Sequence, residues 1–516
     1  MTLAALLERA ALRHPGADAV VDGGRRLTYG ELHARARTLG DAFRILGVGR
    51  GDRVLIALKN RLEHALAYWA LQTIAAVPAP VNFRLASGEL KYVLDDSGAR
   101  VALFERATAS AVVEAAGGRD LPLVFAGPDA PDGSIAFDRL VGGGQGRRPL
   151  PRTDPAEQDL SLLLYTSGTT GRPKGVPRTH KNHCAGALAH ALQCGYAWGE
   201  RTLGVMPLYH TMGIHSLTSM AAVNGCFVCQ PDWSPASALA LIAAERLSAL
   251  YLIPTLYYDL VHAPELPRTD VSSVRKLAYA GAPMLAPLTE ACARVFHPRA
   301  FVNHYGSTEI YTFSIRPDVH EKPGCAGRPG LNGALRVVAA STERRVGPDE
   351  LAPPGEKGEI IASLDSDEAF AGYWNHPDAD ARALRDGWYF TGDMGWVDAD
   401  GELWVAGRVD DMIISGGENI HPVEVEDVLA RHPGVRDVAV IGEPDPRWGE
   451  RVVAFVVPAA AGLSAETLDA HCRAAADFAD FKRPRRIVFV TEIPKTASGK
   501  ILRRLLRDGQ YAEIKA

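Results

Sequence analysis

Residues 166–175, TSGTTGRPKG, hold four hydroxyl side chains, three glycines, a proline and a lysine. Glycines let backbone N–H groups approach an anion, hydroxyls donate, and the lysine adds charge, so the stretch suits a polyphosphate. It is not a Walker loop. That motif requires G-x-x-x-x-G-K-[ST], whereas Gly171 is followed by Arg172, Pro173 and Lys174, and Lys174 by Gly175. A surface loop has a similar composition, so this stretch alone leaves both readings open. Four other stretches concentrate reactive side chains: YGSTE at 305–309, TGD at 391–393, GRVDDMIISGGENIHPVEVE at 407–426 and PKTASGK at 494–500. Taken singly, Asp393 and Asp410 read as turn caps and Lys500 as a solvated lysine before KILRRLLR.

In this order the five stretches resemble the adenylate-forming superfamily of acyl-CoA synthetases, peptide-synthetase adenylation domains and luciferases. Over 407–426 and ADFKRP at 479–484 they are similar to aryl acid–CoA ligases of the 4-chlorobenzoate:CoA ligase type. The resemblance spans nearly the whole chain and implies an ATP-dependent carboxylic acid–CoA ligase that forms an acyl-adenylate, releases pyrophosphate and then makes a thioester. ATP, Mg²⁺ and coenzyme A are the cofactors it implies.

The resemblance also implies roles at individual positions. Thr166, Ser167, Gly168, Thr169, Thr170, Gly171 and Lys174 would hold the β- and γ-phosphates of ATP. Gly281, Ala282, Pro283, His304, Tyr305, Gly306 and Ser307 would border the nucleotide, with Thr308 on the α-phosphate and Glu309 on the metal. Asp393 would accept from the ribose hydroxyls, helped by Arg408. Lys500 would bridge the substrate carboxylate and the α-phosphate, stabilising charge as it develops, and His210 joins the catalytic set. Coenzyme A would meet Trp448, Phe481, Arg483 and Arg84. The family usually reads NPR where this chain has Asn82-Phe83-Arg84, which weakens the assignment of Arg84.

The implied acyl pocket takes His210, Thr211, Met212, Tyr251, Ala282, His304, Gly306, Tyr311 and Thr312. Tyr251 and His304 are polar where the chlorobenzoate enzymes are apolar, so a polar-ring or alicyclic acid fits, with a short, polar or fatty aliphatic acid as the alternative. MPLYHTMGIHS lacks the aspartate that an amino-acid adenylation domain needs, and a non-catalytic nucleotide or acyl-CoA sensor would not need both Lys500 and Glu309.

Positioning these residues requires a large scaffold, and 516 residues suggest several domain-sized units. From Thr28-x-x-Glu31, a capping box, helical and strand patterns alternate to about residue 126, and again from 203 to 305, which predicts two parallel α/β layers. From about 323, short strands with an Asp400-Gly401 turn predict a small β-barrel unit, and the last hundred residues an α+β domain. The expected fold is thus α/β, with an N-terminal AMP-binding domain over 1–409 and a mobile C-terminal domain over 410–516 that carries the lysine and hinges at Asp410.

A net charge of −5 argues against nucleic acid as a partner. The apolar run at 66–81 is interrupted by Gln72, Thr73, Pro78 and Pro80, which argues against membrane insertion. Seven cysteines, with CFVC at 226–229 read as a buried strand, and an amphipathic rather than signal-like N-terminus predict a cytoplasmic protein. A homodimer is left open.

Overall fold

The capping box at Thr28 closes as read: Glu31 N–H donates to the Thr28 hydroxyl, Thr28 N–H to the Glu31 carboxylate, and the helix runs Tyr29–Ile45. The computed structural model describes residues 1–516 except 143–149, 167–172, 285, 342–343, 416–417, 476–477, 497–498, 515–516 and the side chains at 410 and 419.

The first layer is a five-stranded parallel sheet, ordered Val77–Pro80, Arg53–Ala57, Val101–Phe104, Leu123–Phe125, Ile135–Ala136. The second has nine strands. Its centre runs Ala300–Tyr305, Lys276–Tyr279, Ala249–Leu252, Arg201–Gly204, Cys226–Cys229, all parallel. One strand departs from the sequential layering: Asp18–Asp22 pairs parallel with Cys226–Cys229 and so belongs to the second sheet. The chain enters there because Ala19, Val20 and Val21 are buried on both faces of the strand, and the Tyr29 hydroxyl pins the crossing to the carbonyls of Met220 and Gly225.

The helix Leu62–Thr73 is buried from Leu62 to Gln72 and touches strands of both sheets. A mostly apolar helix buried on every face needs a core or a bilayer around it, and here strands of both sheets supply the core. Among the described residues no helix is long and apolar enough to cross a membrane. All seven cysteines are free and buried, Cys226 and Cys229 in the strand expected of them.

The small β unit is antiparallel: Gly358–Ser363 pairs with Leu335–Val338 and Trp388–Val397, and the latter with Leu403–Arg408. Asp398 closes the Asp400-Gly401 turn by accepting from the N–H groups of Asp400 and Glu402. Beyond the single 3₁₀ turn Val409–Asp411 lies a further sheet, in which Gly449–Pro458 pairs antiparallel with Val435–Asp445 and parallel with Arg486–Phe489. The helices Pro422–Ala430 and Ala465–Ala474 cover one of its faces.

Candidate active site

The site forms where parallel strands end, the usual place for ligands in open α/β sheets. Ala300–Tyr305 delivers His304 and Tyr305, the turn after Lys276–Tyr279 delivers Gly281, Ala282 and Pro283, and Ala249–Leu252 delivers Tyr251. Gly281 has φ +85°, so the turn needs glycine there, and Gly281 and Pro283 are exposed. The antiparallel pair in the β unit sets Asp393 opposite Arg408. One Asp393 oxygen accepts from Arg408 Nη1 at 2.9 Å and the other from the Tyr305 hydroxyl at 2.6 Å. The sheet and the β unit are thereby joined through the residues expected to face the nucleotide.

After Tyr305 the chain folds tightly back on itself. Ser307 N–H donates to Ile310 O at 2.9 Å, and a Cβ on Gly306 would stand 1.8 Å from Tyr311 O, so only glycine permits the turn. This turn presents Thr308 and Glu309. Two residues not anticipated from sequence hold it. Arg178, 2% exposed, donates to the carbonyls of Thr308 and Glu309 at 2.9 and 3.1 Å, and burial lowers its pKa to about 10. Tyr373 donates to Glu309 Oε1 at 2.7 Å, and its ring carries Lys174 Nζ 4.4 Å from the centroid. Lys174 and Thr166 end the two strands of a hairpin; Ser167, Gly168, Thr169, Thr170 and Gly171 between them lie outside the described residues.

Lys500 enters from the last unit. Its turn is closed by Thr496 N–H to Lys500 O and by Lys500 N–H to Thr496 Oγ1, and a Cβ on Gly499 would approach Ile253 Cδ1 to 2.8 Å. The turn therefore packs on the end of the strand that carries Tyr251. Burial, then repulsion from Arg408, lowers the Lys500 pKa, while Asp393, Asp411 and Glu309 oppose the shift.

His210 caps the helix Thr211–Ala222 by accepting from Met212 N–H at Nδ1, and burial lowers its pKa to about 4, so the ring is neutral and carries its proton on Nε2. Thr211 and Met212 are buried beside it. His304 Nε2 meets Thr312 Oγ1 at 3.0 Å, and its ring centroid lies 4.5 Å from that of Tyr311 and 6.0 Å from that of Tyr251.

The chain is similar to known proteins over nearly its whole length. The family model described as AMP-binding enzyme matches residues 7–374, and that of the AMP-binding enzyme C-terminal domain matches 424–500. The chain belongs to the AMP-binding enzyme family. It is 38% identical over 501 residues to a feruloyl-CoA synthase from Amycolatopsis sp, with 96% of each chain covered. It is 33% identical over 511 residues to a 4-chlorobenzoate–CoA ligase from Arthrobacter sp, covering 98% of this chain and 94% of that one. Among solved structures, an anthranilate CoA ligase in complex with anthranoyl-AMP superposes with a TM-score of 0.90 at 28% identity, covering 99% and 97% of the two chains.

The positions expected to meet coenzyme A are less gathered in this AMP-binding enzyme. Trp448 is 47% exposed and Phe481 41%, Arg84 is exposed against the Phe83 ring, and among the described residues no hydrogen bond or ring contact joins Trp448, Phe481 and Arg84. Arg483 is engaged by Asp469 and Asp480, and Lys482 by Glu424 at 2.7 Å. The same Glu424 pairs with Lys357 of the β unit and so bridges the last unit to the rest.

The Lys500 environment has a consequence for pH. The cation is the form that can neutralise developing negative charge, and it is lost as pH rises through a pKa below the ordinary lysine value of about 10.4. In a kcat/KM profile for pyrophosphate release the alkaline limb is therefore expected below that value. Lys500→Arg, whose guanidinium stays charged, should move the limb upward or abolish it. An identical limb in both proteins would assign it to another group.

Proposed function

We propose that this AMP-binding enzyme is an ATP-dependent carboxylic acid–CoA ligase whose substrate is an aromatic or alicyclic acid. The observation that carries the reading is that Lys500, from beyond the 3₁₀ turn, is buried close enough to the Asp393–Arg408 pair and to Glu309 for their charges to act on it.

In the first half-reaction a carboxylate oxygen bonds to the α-phosphorus of ATP as the bond to pyrophosphate breaks. Charge builds on the α-phosphoryl oxygens, where the Lys500 ammonium and the Thr308 hydroxyl can meet it. Positioning and charge neutralisation are most of what a protein contributes to such a transfer. Asp393 fits the ribose: a carboxylate has about four acceptor sites, and Tyr305 and Arg408 occupy two. Among the described residues no group of three His, Cys, Asp or Glu side chains forms a cation cage; Glu309 is the carboxylate that would hold Mg²⁺ brought by ATP, and the cation's charge would screen the phosphates. In the second half-reaction the thiolate of coenzyme A bonds to the acyl carbon and AMP leaves.

The exposed rings of Trp448 and Phe481 and the basic groups at 482–486 suit coenzyme A, but Lys482 and Arg483 are already paired with carboxylates. Exchange of these partners for phosphates accompanies a rotation of residues 410–516 about Asp410. An aromatic acid is supported by relatives named for ferulate, 4-chlorobenzoate and anthranilate. Free cysteines support a cytoplasmic setting.

The test is a screen of pyrophosphate release with Mg²⁺ and ATP across benzoate, hydroxy- and aminobenzoates, cinnamates, cyclohexane carboxylates, short diacids and fatty acids. The highest kcat/KM is expected for a ring acid. Release with fatty acids alone would establish the aliphatic alternative, and release with none would refute the ligase reading.

A further inference from the structure

Behind the acyl pocket lies a chain of buried hydrogen bonds that sequence did not reveal. Its members come from four elements: Tyr196 after the helix His180–Gln193, His190 within it, Tyr311 from the loop after Gly306, and Tyr251 from the strand Ala249–Leu252. The Tyr311 hydroxyl donates to the Tyr251 oxygen at 3.2 Å. A hydroxyl has one proton, so at its 3.0 Å contact with His190 Nδ1 the Tyr311 oxygen must accept, which places the histidine proton on Nδ1. Burial keeps the ring neutral, and Nε2 is then the acceptor for the Tyr196 hydroxyl 3.2 Å away. The donors run in one direction, from Tyr196 through His190 and Tyr311 to Tyr251, and end on the Tyr251 hydroxyl proton.

That proton has no acceptor among the described residues, although Tyr251 is 1% exposed. Buried donors are nearly always paired, so a partner is supplied by what enters the pocket. Tyr251 and His304 share a face of the sheet, because Tyr251 lies level with Ala278 and Ala278 with Val302, two residues before His304. The strand of Tyr251 ends at Leu252, and the next residue, Ile253, is the one on which the Lys500 turn packs. A substrate whose carboxylate reaches Lys500 can therefore extend along this face toward the tyrosine.

We propose that Tyr251 donates a hydrogen bond to an oxygen substituent on the ring of the acid, and that His190 is a positioning residue that sets Tyr251 as a donor through Tyr311. This rests on the acid–CoA ligase reading and narrows its substrate class to hydroxylated or alkoxylated aryl acids. A methyl group of similar size would leave the tyrosine unpaired.

The experiment compares kcat/KM for pyrophosphate release with ring isomers of hydroxy-, amino- and methyl-substituted benzoates and cinnamates in the wild type, Tyr251→Phe, His190→Leu and His190→Gln. For the best isomer the wild type is expected to favour hydroxyl over methyl by about 10- to 100-fold, the range for a buried hydrogen bond whose loss leaves a group unpaired. Tyr251→Phe, which removes one oxygen atom, should bring the ratio within about threefold of unity. His190→Leu should lower the ratio too, and His190→Gln, whose amide both donates and accepts, should restore part of it. A merely structural His190 would change the rate on both acids alike and leave the ratio unmoved. A wild-type ratio near unity, a ratio unaffected by Tyr251→Phe, or a preference for the amino acids would overturn the proposal. If no acid of any class releases pyrophosphate, the ligase reading itself fails, whereas release without hydroxyl discrimination defeats only this inference.

Discussion

Lys500→Ala is expected to lower the rate of adenylate formation by about 10²–10³-fold or more, the cost of removing one preorganised donor from a charge-stabilising site. Among the described residues Arg408, the cation closest in role, is committed to Asp393 at 2.9 Å. The same variant should convert supplied acyl-adenylate and coenzyme A to thioester within a few-fold of the wild-type rate, since the thiol attacks the acyl carbon and no bond to phosphorus is made or broken in that step. Folding should be intact: the turn around Lys500 is closed by backbone groups and Thr496 Oγ1, which alanine leaves in place. Rapid-quench assay of each half-reaction, with thermal melts, separates these outcomes. Equal loss of both half-reactions in a folded variant would show that Lys500 is not specific to adenylation.

Asp410→Pro should do the reverse. Lys500, Trp448, Phe481 and Arg483 belong to one unit joined to the rest at Val409–Asp411, in a pose that sets the lysine close enough to Arg408, Asp393 and Glu309 to feel their charges. The φ range of a 3₁₀ turn includes the value proline fixes, so the substitution fits this pose while opposing backbone states with a different φ. If the thioester pose needs such a state, a penalty of about 3 kcal/mol reduces its population about 100-fold. Adenylation should be retained and thioester formation reduced by a similar factor. The Lys357–Glu424 ion pair also spans the junction, but both side chains are part-exposed and such pairs contribute about 1 kcal/mol or less, so the backbone is the more effective place to block rotation. Wild-type thioester rates in Asp410→Pro would remove the hinge from the mechanism.

The parts of the site legible in sequence were those carried by compact stretches. Asp393 sits in a three-residue motif, Thr308 and Glu309 in a five-residue one, and the Asp400-Gly401 turn announces the hairpin that sets Asp393 against Arg408. The supporting residues were not legible, because each acts across a long stretch of chain while reading locally as ordinary structure. Arg178 lies in a hairpin strand 130 residues from Thr308, and Tyr373 is 64 residues from Glu309. His190 reads as a polar residue in a half-apolar helix until Tyr311, 121 residues on, folds against it. The entry of Asp18–Asp22 into the second sheet was hidden for a related reason: a short apolar strand states that it is buried, not which partner it chooses.

Attack of the carboxylate on the α-phosphorus is tested most directly by following the oxygen atoms. The enzyme is supplied with its best acid labelled with heavy oxygen in the carboxylate, together with unlabelled ATP, Mg²⁺ and coenzyme A, and the products are weighed by mass spectrometry. Adenylation leaves one carboxylate oxygen on phosphorus when the thiol displaces AMP, so the expected products are AMP with one heavy oxygen, acyl-CoA that keeps the other in its thioester carbonyl, and unlabelled pyrophosphate. Label in orthophosphate, accompanied by ADP, would mean that the γ-phosphorus is attacked instead and would contradict it.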